Sequence, residues 1–357
     1  MGDLKRVFIL GAGFSKPAGM PLATELLPQL VTKLQHDEMR KWVDGLCRRL
    51  AWLSGNNQQT DSFTPNIEQV FQYAHFDVEV RRLQQQVVPF GRQDGLTPWN
   101  QGESIECWLS YLEDALCDVV SEREDNCDLT PITRWAEGVS EHDAVLTFNY
   151  DTLAERGLAK LGKTWSHGME CEGNNGIPVY KLHGSIDWIV AHRSENSSKL
   201  ELLFDKANTN RSDGKTGHVE DDCRLWRCRT REQRRNWIDG RDLQGGTWKT
   251  VGIAGLGAYK ELHRIPGLGR VWTRGMRALY HADRAVVVGF AMSDFDAMAQ
   301  MQLAEVAQAR QRDGRPLPVF VVDPCANEAS NDRFRRVFRS VEFISRKHEE
   351  FDWSSLS

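Results

Sequence analysis

With 357 residues, 40% of them hydrophobic, the chain is long enough for one large α/β domain with insertions, or for two domains, around a substantial core. A formal net charge of −5 argues against a dedicated nucleic-acid binder. No run reaches the ~18 apolar residues that span a bilayer, and the apolar stretch between Arg6 and Gly11 is too short for a secretory signal. A cytoplasmic protein without membrane contact is expected.

Val7-Phe8-Ile9-Leu10 reads as a short apolar strand that ends at a glycine turn, Gly11-Ala12-Gly13-Phe14-Ser15. Apolar residues then recur at helical spacing from Leu22 to Leu34. Strand, glycine turn and helix in that order are the usual opening of a nucleotide-binding α/β fold. Through 38–53, 66–90 and 104–122 apolar positions fall three to four apart and strand-like runs are nearly missing, which predicts an inserted helical subdomain over 35–140. The α/β pattern returns with a strand at 144–148, a helix from Thr152 to Leu161 and a strand from Pro178 to Leu182. Residues 193–250 are polar and rich in Ser, Asn, Asp, Gly and Arg, so an irregular excursion is expected there. Strands follow at 285–288 and 319–322 with a helix from Asp294 to Arg310 between them, and Val341-Glu342-Phe343-Ile344 reads as a last strand. β-Branched strands alternating with helices predict an α/β fold: a Rossmann-like parallel sheet with helices on both faces, built from 1–34 and 141–357.

Three separated segments carry chemistry. Gly11 and Gly13 have no side chains, so their backbone N–H groups suit a pyrophosphate, helped by the start of the next helix. The same segment also reads as a tight turn with no ligand. Asn149 and Asp151, in Thr147-Phe148-Asn149-Tyr150-Asp151, lie at the carboxyl end of a predicted strand, the edge at which open parallel sheets bind ligands. Asp151 or Thr152 serves equally well as a helix N-cap. His183, in Leu182-His183-Gly184-Ser185, offers an imidazole that acts as a general base near neutral pH, or one that makes a structural hydrogen bond. Gly289 permits close backbone approach, Ser293 or Asp294 caps the next helix, and Asp323 at a strand end suits ribose hydroxyls. Taken in order, the segments point to an enzyme that binds a dinucleotide and breaks it. The eight cysteines are scattered without a C-x-x-C pair, which reads as reduced thiols and no metal site.

The glycine turn with Gly19-Met20-Pro21, then residues 147–151, then Lys181-Leu182-His183-Gly184-Ser185, then 286–294 and 321–324, resemble in that order the sirtuin-like (silent information regulator) family. The matching segments cover about a quarter of the chain. The resemblance implies that Gly11, Ala12, Gly13 and Ser15 hold the phosphates of NAD, that Asn149 and Asp151 hold its nicotinamide ribose and carboxamide, and that His183 is the catalytic base. It places Gly289, Ser293 and Asp323 on the adenosine half, with Phe14, Thr147 and Phe290 completing the contacts. The chain departs from the deacylases of that family. Pro21 is followed by Leu22-Ala23-Thr24 in place of Asp-Phe-Arg, Phe148 and Tyr150 flank Asn149 in place of Gln and Ile, and the four-cysteine zinc module is missing. It is similar instead to the divergent bacterial branch that hydrolyses NAD in antiphage defence. That likeness implies NAD+ as substrate, nicotinamide and ADP-ribose as products, and gating by homo-oligomerisation or by a sensor or ATPase protein encoded nearby. The Arg- and Trp-rich stretch 223–249 is a candidate surface for a partner or nucleic acid. The alternatives are an NAD-dependent protein deacylase and an NAD or ADP-ribose binding module without turnover.

Overall fold

The computed structural model describes residues 4–54, 65–87, 105–168, 176–192, 219–220, 223–227, 248–254, 256, 262, 265–293, 296–324 and 328–356. Its strands in chain order are β1 (Arg6–Leu10), β2 (Asp143–Thr147), β3 (Trp165–Ser166), β4 (Ile177–Lys181), β5 (Gly184–His192), β6 (Val219–Glu220), β7 (Cys223–Arg227), β8 (Trp248–Ile253), β9 (Arg284–Val288), β10 (Pro318–Val322) and β11 (Ser340–Ile344). Seven of them form one sheet in the order β11-β10-β9-β1-β2-β4-β3, with every pair parallel. β1 and β2 are buried along their whole length, as continuous apolar strands in a doubly covered sheet must be. Alternate residues serve opposite faces. Phe8, Leu10, Val145 and Val286 join one apolar cluster, whereas Val7, Ile9, Leu146 and Val287 join another.

The first face is covered by α1 (Ala12–Ser15), α2 (Ala23–Lys33), α3 (Asp37–Leu53), α4 (Ile67–Val87), α5 (Ile105–Asp125), α6 (Thr130–Glu137) and α7 (Leu153–Lys160). One continuous cluster runs from Phe8 and Leu10 through Leu30 to Leu46, Phe71 and Leu116, so the helices between 35 and 140 share the core of that face. The second face is covered by helices Leu268–His281, Ala297–Arg312 and Glu328–Val337. This is the expected α/β architecture, a parallel sheet with helices on both sides. None of the described helices is long and apolar enough to cross a membrane.

One expectation needs correction, and one helix lies outside the sequence pattern. The stretch 193–250 was expected to be irregular, but it contributes β6, β7 and part of β8 to a four-stranded antiparallel sheet in the order β6-β7-β5-β8. β6 and β7 are short and lie in a stretch of polar composition that masks them. Pairing of β7 and β8 with β5, whose Ile186, Trp188 and Ile189 are buried, makes them strands, and β6 pairs in turn with β7. The rest of that stretch lies outside the described residues. Helix Leu268–His281 was not anticipated, although its inward face (Leu268, Val271, Trp272, Leu279) is buried.

The strand order also locates the ligand edge. From β1 the chain crosses toward β2, and from β9 it crosses the other way toward β10. The carboxyl ends of β1 and β9 therefore flank a topological switch point, where open α/β sheets form their binding crevice.

Candidate active site

The turns after β1 and β9 touch across that crevice. Gly11 N–H donates to Val288 O at 3.1 Å, and Gly13 N–H donates to Gly289 O at 2.8 Å. A Cβ on Gly11 would stand 2.5 Å from Phe290 Cα, and one on Gly289, whose φ is +59°, would stand 2.2 Å from Phe14 N. Close packing of the two turns thus requires both glycines. It also changes the expected role of the first turn. The N–H groups of Gly11, Gly13 and Phe14 are all engaged within the protein and are not bare donors for a phosphate.

Asn149 follows β2 and is almost buried. Its Nδ2 donates to Gly11 O at 2.9 Å and to Ser15 Oγ at 3.0 Å, and its backbone N–H donates to Thr147 Oγ1 at 3.1 Å. Ser15 also bonds to the Asp151 carboxylate, so this buried hydroxyl ties the first turn to both ends of the 149–151 loop. Asp151 Oδ1 accepts from Leu153 N–H at 3.1 Å, an Asx turn one residue before the helix's N-cap, Thr152. Burial pushes the Asp151 carboxyl up, opposed by the Lys181 ammonium and by its hydrogen bonds. Lys181, fully buried at the end of β4, donates to Asp151 O and lies 3.2 Å from Glu155 Oε1. Glu124 of α5 accepts from the Thr152 N–H and, at 3.1 Å, from its hydroxyl. Burial first, and the nearby Asp151 charge second, push Glu124 up to about 8.

His183 sits in the turn between β4 and β5, buried, with Nε2 3.2 Å from Asp296 Oδ1. Gly184 allows that turn with φ +79°. Phe148 meets the imidazole edge-on at 5.1 Å and stacks on Phe290 at 4.3 Å, forming an apolar wall. Tyr150 lies 5.9 Å from the imidazole and donates to Ala254 O at 3.0 Å. Burial, then the charges of Asp296 and Glu68, raise the Tyr150 phenol well above its usual range, so it stays neutral.

These elements enclose a cavity of about 630 Å³, within the range of small-ligand sites. Gly11, Ala12, Gly13, Ser15, Asn149, Asp151, His183, Gly289, Phe290, Ser293 and Asp323 all line it. Phe14 and Thr147 do not. Phe14 is turned into the core against Trp135 at 4.9 Å, and the Thr147 hydroxyl is held by the backbone of Asn149. Asp294 lies outside the described residues.

Several lining groups were missed by the sequence reading. Glu68, in the first turn of α4, accepts from Ser293 Oγ at 3.2 Å, so the helical layer reaches into the cavity. Arg333 and Lys347 bring cations to the walls. Arg333 and Gln300 donate to the carbonyls of the 291–293 loop, where Met292 holds a left-handed φ of 50°. Asp296 had a weak signal, a second acid at a helix start. Glu68 had none, because nothing local distinguishes it from a solvated helix residue.

The chain is similar to a solved structure described as the basis for the mechanism and regulation of Sir2 enzymes. Identity is 15% over 98% of this chain and 89% of that one, with a TM-score of 0.39. It is also similar to one described as the basis of sirtuin substrate affinity, at 13% identity over 99% and 92%, with a TM-score of 0.40. No protein-family model and no curated protein matches the chain. Among the described residues no group of three or more His, Cys, Asp or Glu is arranged to hold a metal ion.

Proposed function

We propose that the protein hydrolyses NAD+ to nicotinamide and ADP-ribose, as an effector of bacterial antiphage defence that depletes the NAD+ pool. The observation that carries the chemistry is that one cavity at the sheet's switch point gathers the candidate residues. This cavity holds Asn149, anchored to the β1 turn, together with His183 and, at another strand end, Asp323. The bond to be broken joins ribose to a cationic pyridinium. Nicotinamide departs neutral with the bonding electron pair, the ribose acquires oxocarbenium character, a water oxygen bonds to its anomeric carbon, and the water's proton passes to His183.

Each residue has a task that its surroundings support. Asn149 commits its NH2 group to Gly11 and Ser15, so Oδ1 serves as acceptor for a ribose hydroxyl or the attacking water. The Phe148–Phe290 stack keeps one side of the site dry. Glu68, acidic and on the cavity wall, favours a substrate that becomes more positive at its ribose. The defence role and its gating, by self-association or by a neighbouring sensor or ATPase protein, rest on the resemblance of the ordered segments to the defence branch. An ungated enzyme of this kind would deplete its own cell.

The test is to incubate the purified protein with NAD+, alone and with proteins encoded beside it, and to follow nicotinamide release and particle mass. Asn149→Ala and His183→Ala should each lower release by about 10²–10⁴-fold while the protein stays folded. Wild-type turnover in both variants would refute the assignment. Consumption only in the presence of an acyl-lysine peptide would make the protein a deacylase, and bound NAD+ with no release under any condition would make it a binding module.

A further inference from the structure

Asp296 stands where a helix cap is expected, yet it does not cap. It immediately precedes helix Ala297–Arg312, the position from which an aspartate ordinarily accepts the N–H groups two or three residues on. Its side chain makes no such bond. Its Oδ1 lies instead 3.2 Å from His183 Nε2, and both side chains are nearly fully buried. The fold thus forgoes a local capping bond and buries a carboxylate against an imidazole. The N-terminal end of the helix dipole favours the anion at that point. On other sides the imidazole is bounded by Phe148 at 5.1 Å and Tyr150 at 5.9 Å.

We infer that Asp296 is the positioning residue of His183. Its carboxylate holds the tautomer with the proton on Nε2, so that Nδ1 carries the basic lone pair. It also stabilises the imidazolium formed when that lone pair takes a proton. In this state the two atoms lie at ion-pair distance without hydrogen-bond alignment, and such pairs tighten when substrate binds and water leaves the site. The inference rests on the NAD+-cleaving reading of the same cavity and adds the residue that orients its base.

The experiment compares wild type with Asp296→Asn, Asp296→Glu, His183→Ala and the His183→Ala/Asp296→Asn double variant. Three quantities are read: nicotinamide release, NAD+ affinity by calorimetry, and the imidazole tautomers by ¹⁵N–¹H correlation spectra. Asp296→Asn should lower kcat by about 10²–10⁴-fold while NAD+ affinity changes less than about threefold. Asp296→Glu should restore at least about tenfold of that loss. In the His183→Ala background the second substitution should have no further effect, because Asp296 acts through the histidine. The spectra should show His183 protonated on Nε2 in wild type and a mixture in Asp296→Asn. Near-wild-type kcat in Asp296→Asn, a loss confined to NAD+ affinity, or losses that multiply in the double variant would each overturn the inference. If wild type releases no nicotinamide under any condition, the NAD+-cleavage reading falls on its own. The spectra then still decide the pairing, and an unchanged tautomer in Asp296→Asn would refute it.

Discussion

Lys181 shows how one side chain holds the site from beneath. Its ammonium is fully buried between the carbonyl of Asp151 and the carboxylate of Glu155, so it fixes the end of the loop that presents Asn149. Removing one member of a buried ion pair leaves the other charge in a low-dielectric interior, which costs about 3–5 kcal/mol. Lys181→Met should therefore destabilise the protein by that amount in urea titrations and depress nicotinamide release, and a change below about 1 kcal/mol would contradict the anchoring role. In the sequence Lys181 opens the segment Lys181-Leu182-His183-Gly184-Ser185 with no role of its own assigned. A charged residue at a strand end reads as solvated until the fold covers it. Asn149 and His183 are more legible, because a strand end in a parallel sheet is a functional position by its geometry alone.

At the scale of elements, α5 reaches the site through Glu124, which binds Thr152 at the start of α7. Its folded pKa of about 8 lies above the ordinary 4.5. The folded protein thus keeps a proton that the unfolded chain releases. The stabilisation is complete below the unfolded value and is lost as pH rises through about 8. Glu124→Gln retains an acceptor for the Thr152 N–H and has nothing to titrate. Its melting temperature should fall less than that of wild type between about pH 6 and about pH 9, and parallel curves would contradict the protonated glutamate. A second element, α4, enters the cavity at Glu68. Glu68→Ala should release Ser293 and raise KM for NAD+ by about three- to tenfold with the fold intact, measured by initial rates. An unchanged KM would mean that the helical layer only covers the site. The periodicity of 66–90 predicts the helix but not that its first turn meets a residue 225 positions away.

Across the whole molecule, a clasp near the C-terminus braces the middle of the sheet. The Arg6 guanidinium pairs with Asp143 at 2.8 Å, linking β1 to β2, and also donates to Trp353 O at 3.1 Å and to Gly138 O at 2.6 Å. Trp353 packs edge-on against Phe8 at 5.9 Å, and His348 lies 5.3 Å from Phe14 under the glycine turn. Trp353→Ala should cost about 3–5 kcal/mol by chemical denaturation, because a buried indole between β1 and α6 leaves a cavity that the sheet cannot close. A cost below about 1 kcal/mol would mean that the segment is an appendage to the sheet.

Local chemistry alone determined the parallel sheet with its two helical covers, and the chain positions of the glycine turn, the Asn149 loop and His183. Apolar runs, helical periods and strand-terminal polar residues are properties of neighbours in sequence. Tertiary structure alone decided that Phe14 and Thr147 turn away from the cavity and that the N–H groups of Gly11, Gly13 and Phe14 are already satisfied. It also decided that Asp296 faces the histidine instead of capping its helix. Those outcomes depend on which strand ends meet at the switch point and on what is buried there. Contacts between distant segments set both, and no short window of sequence contains them.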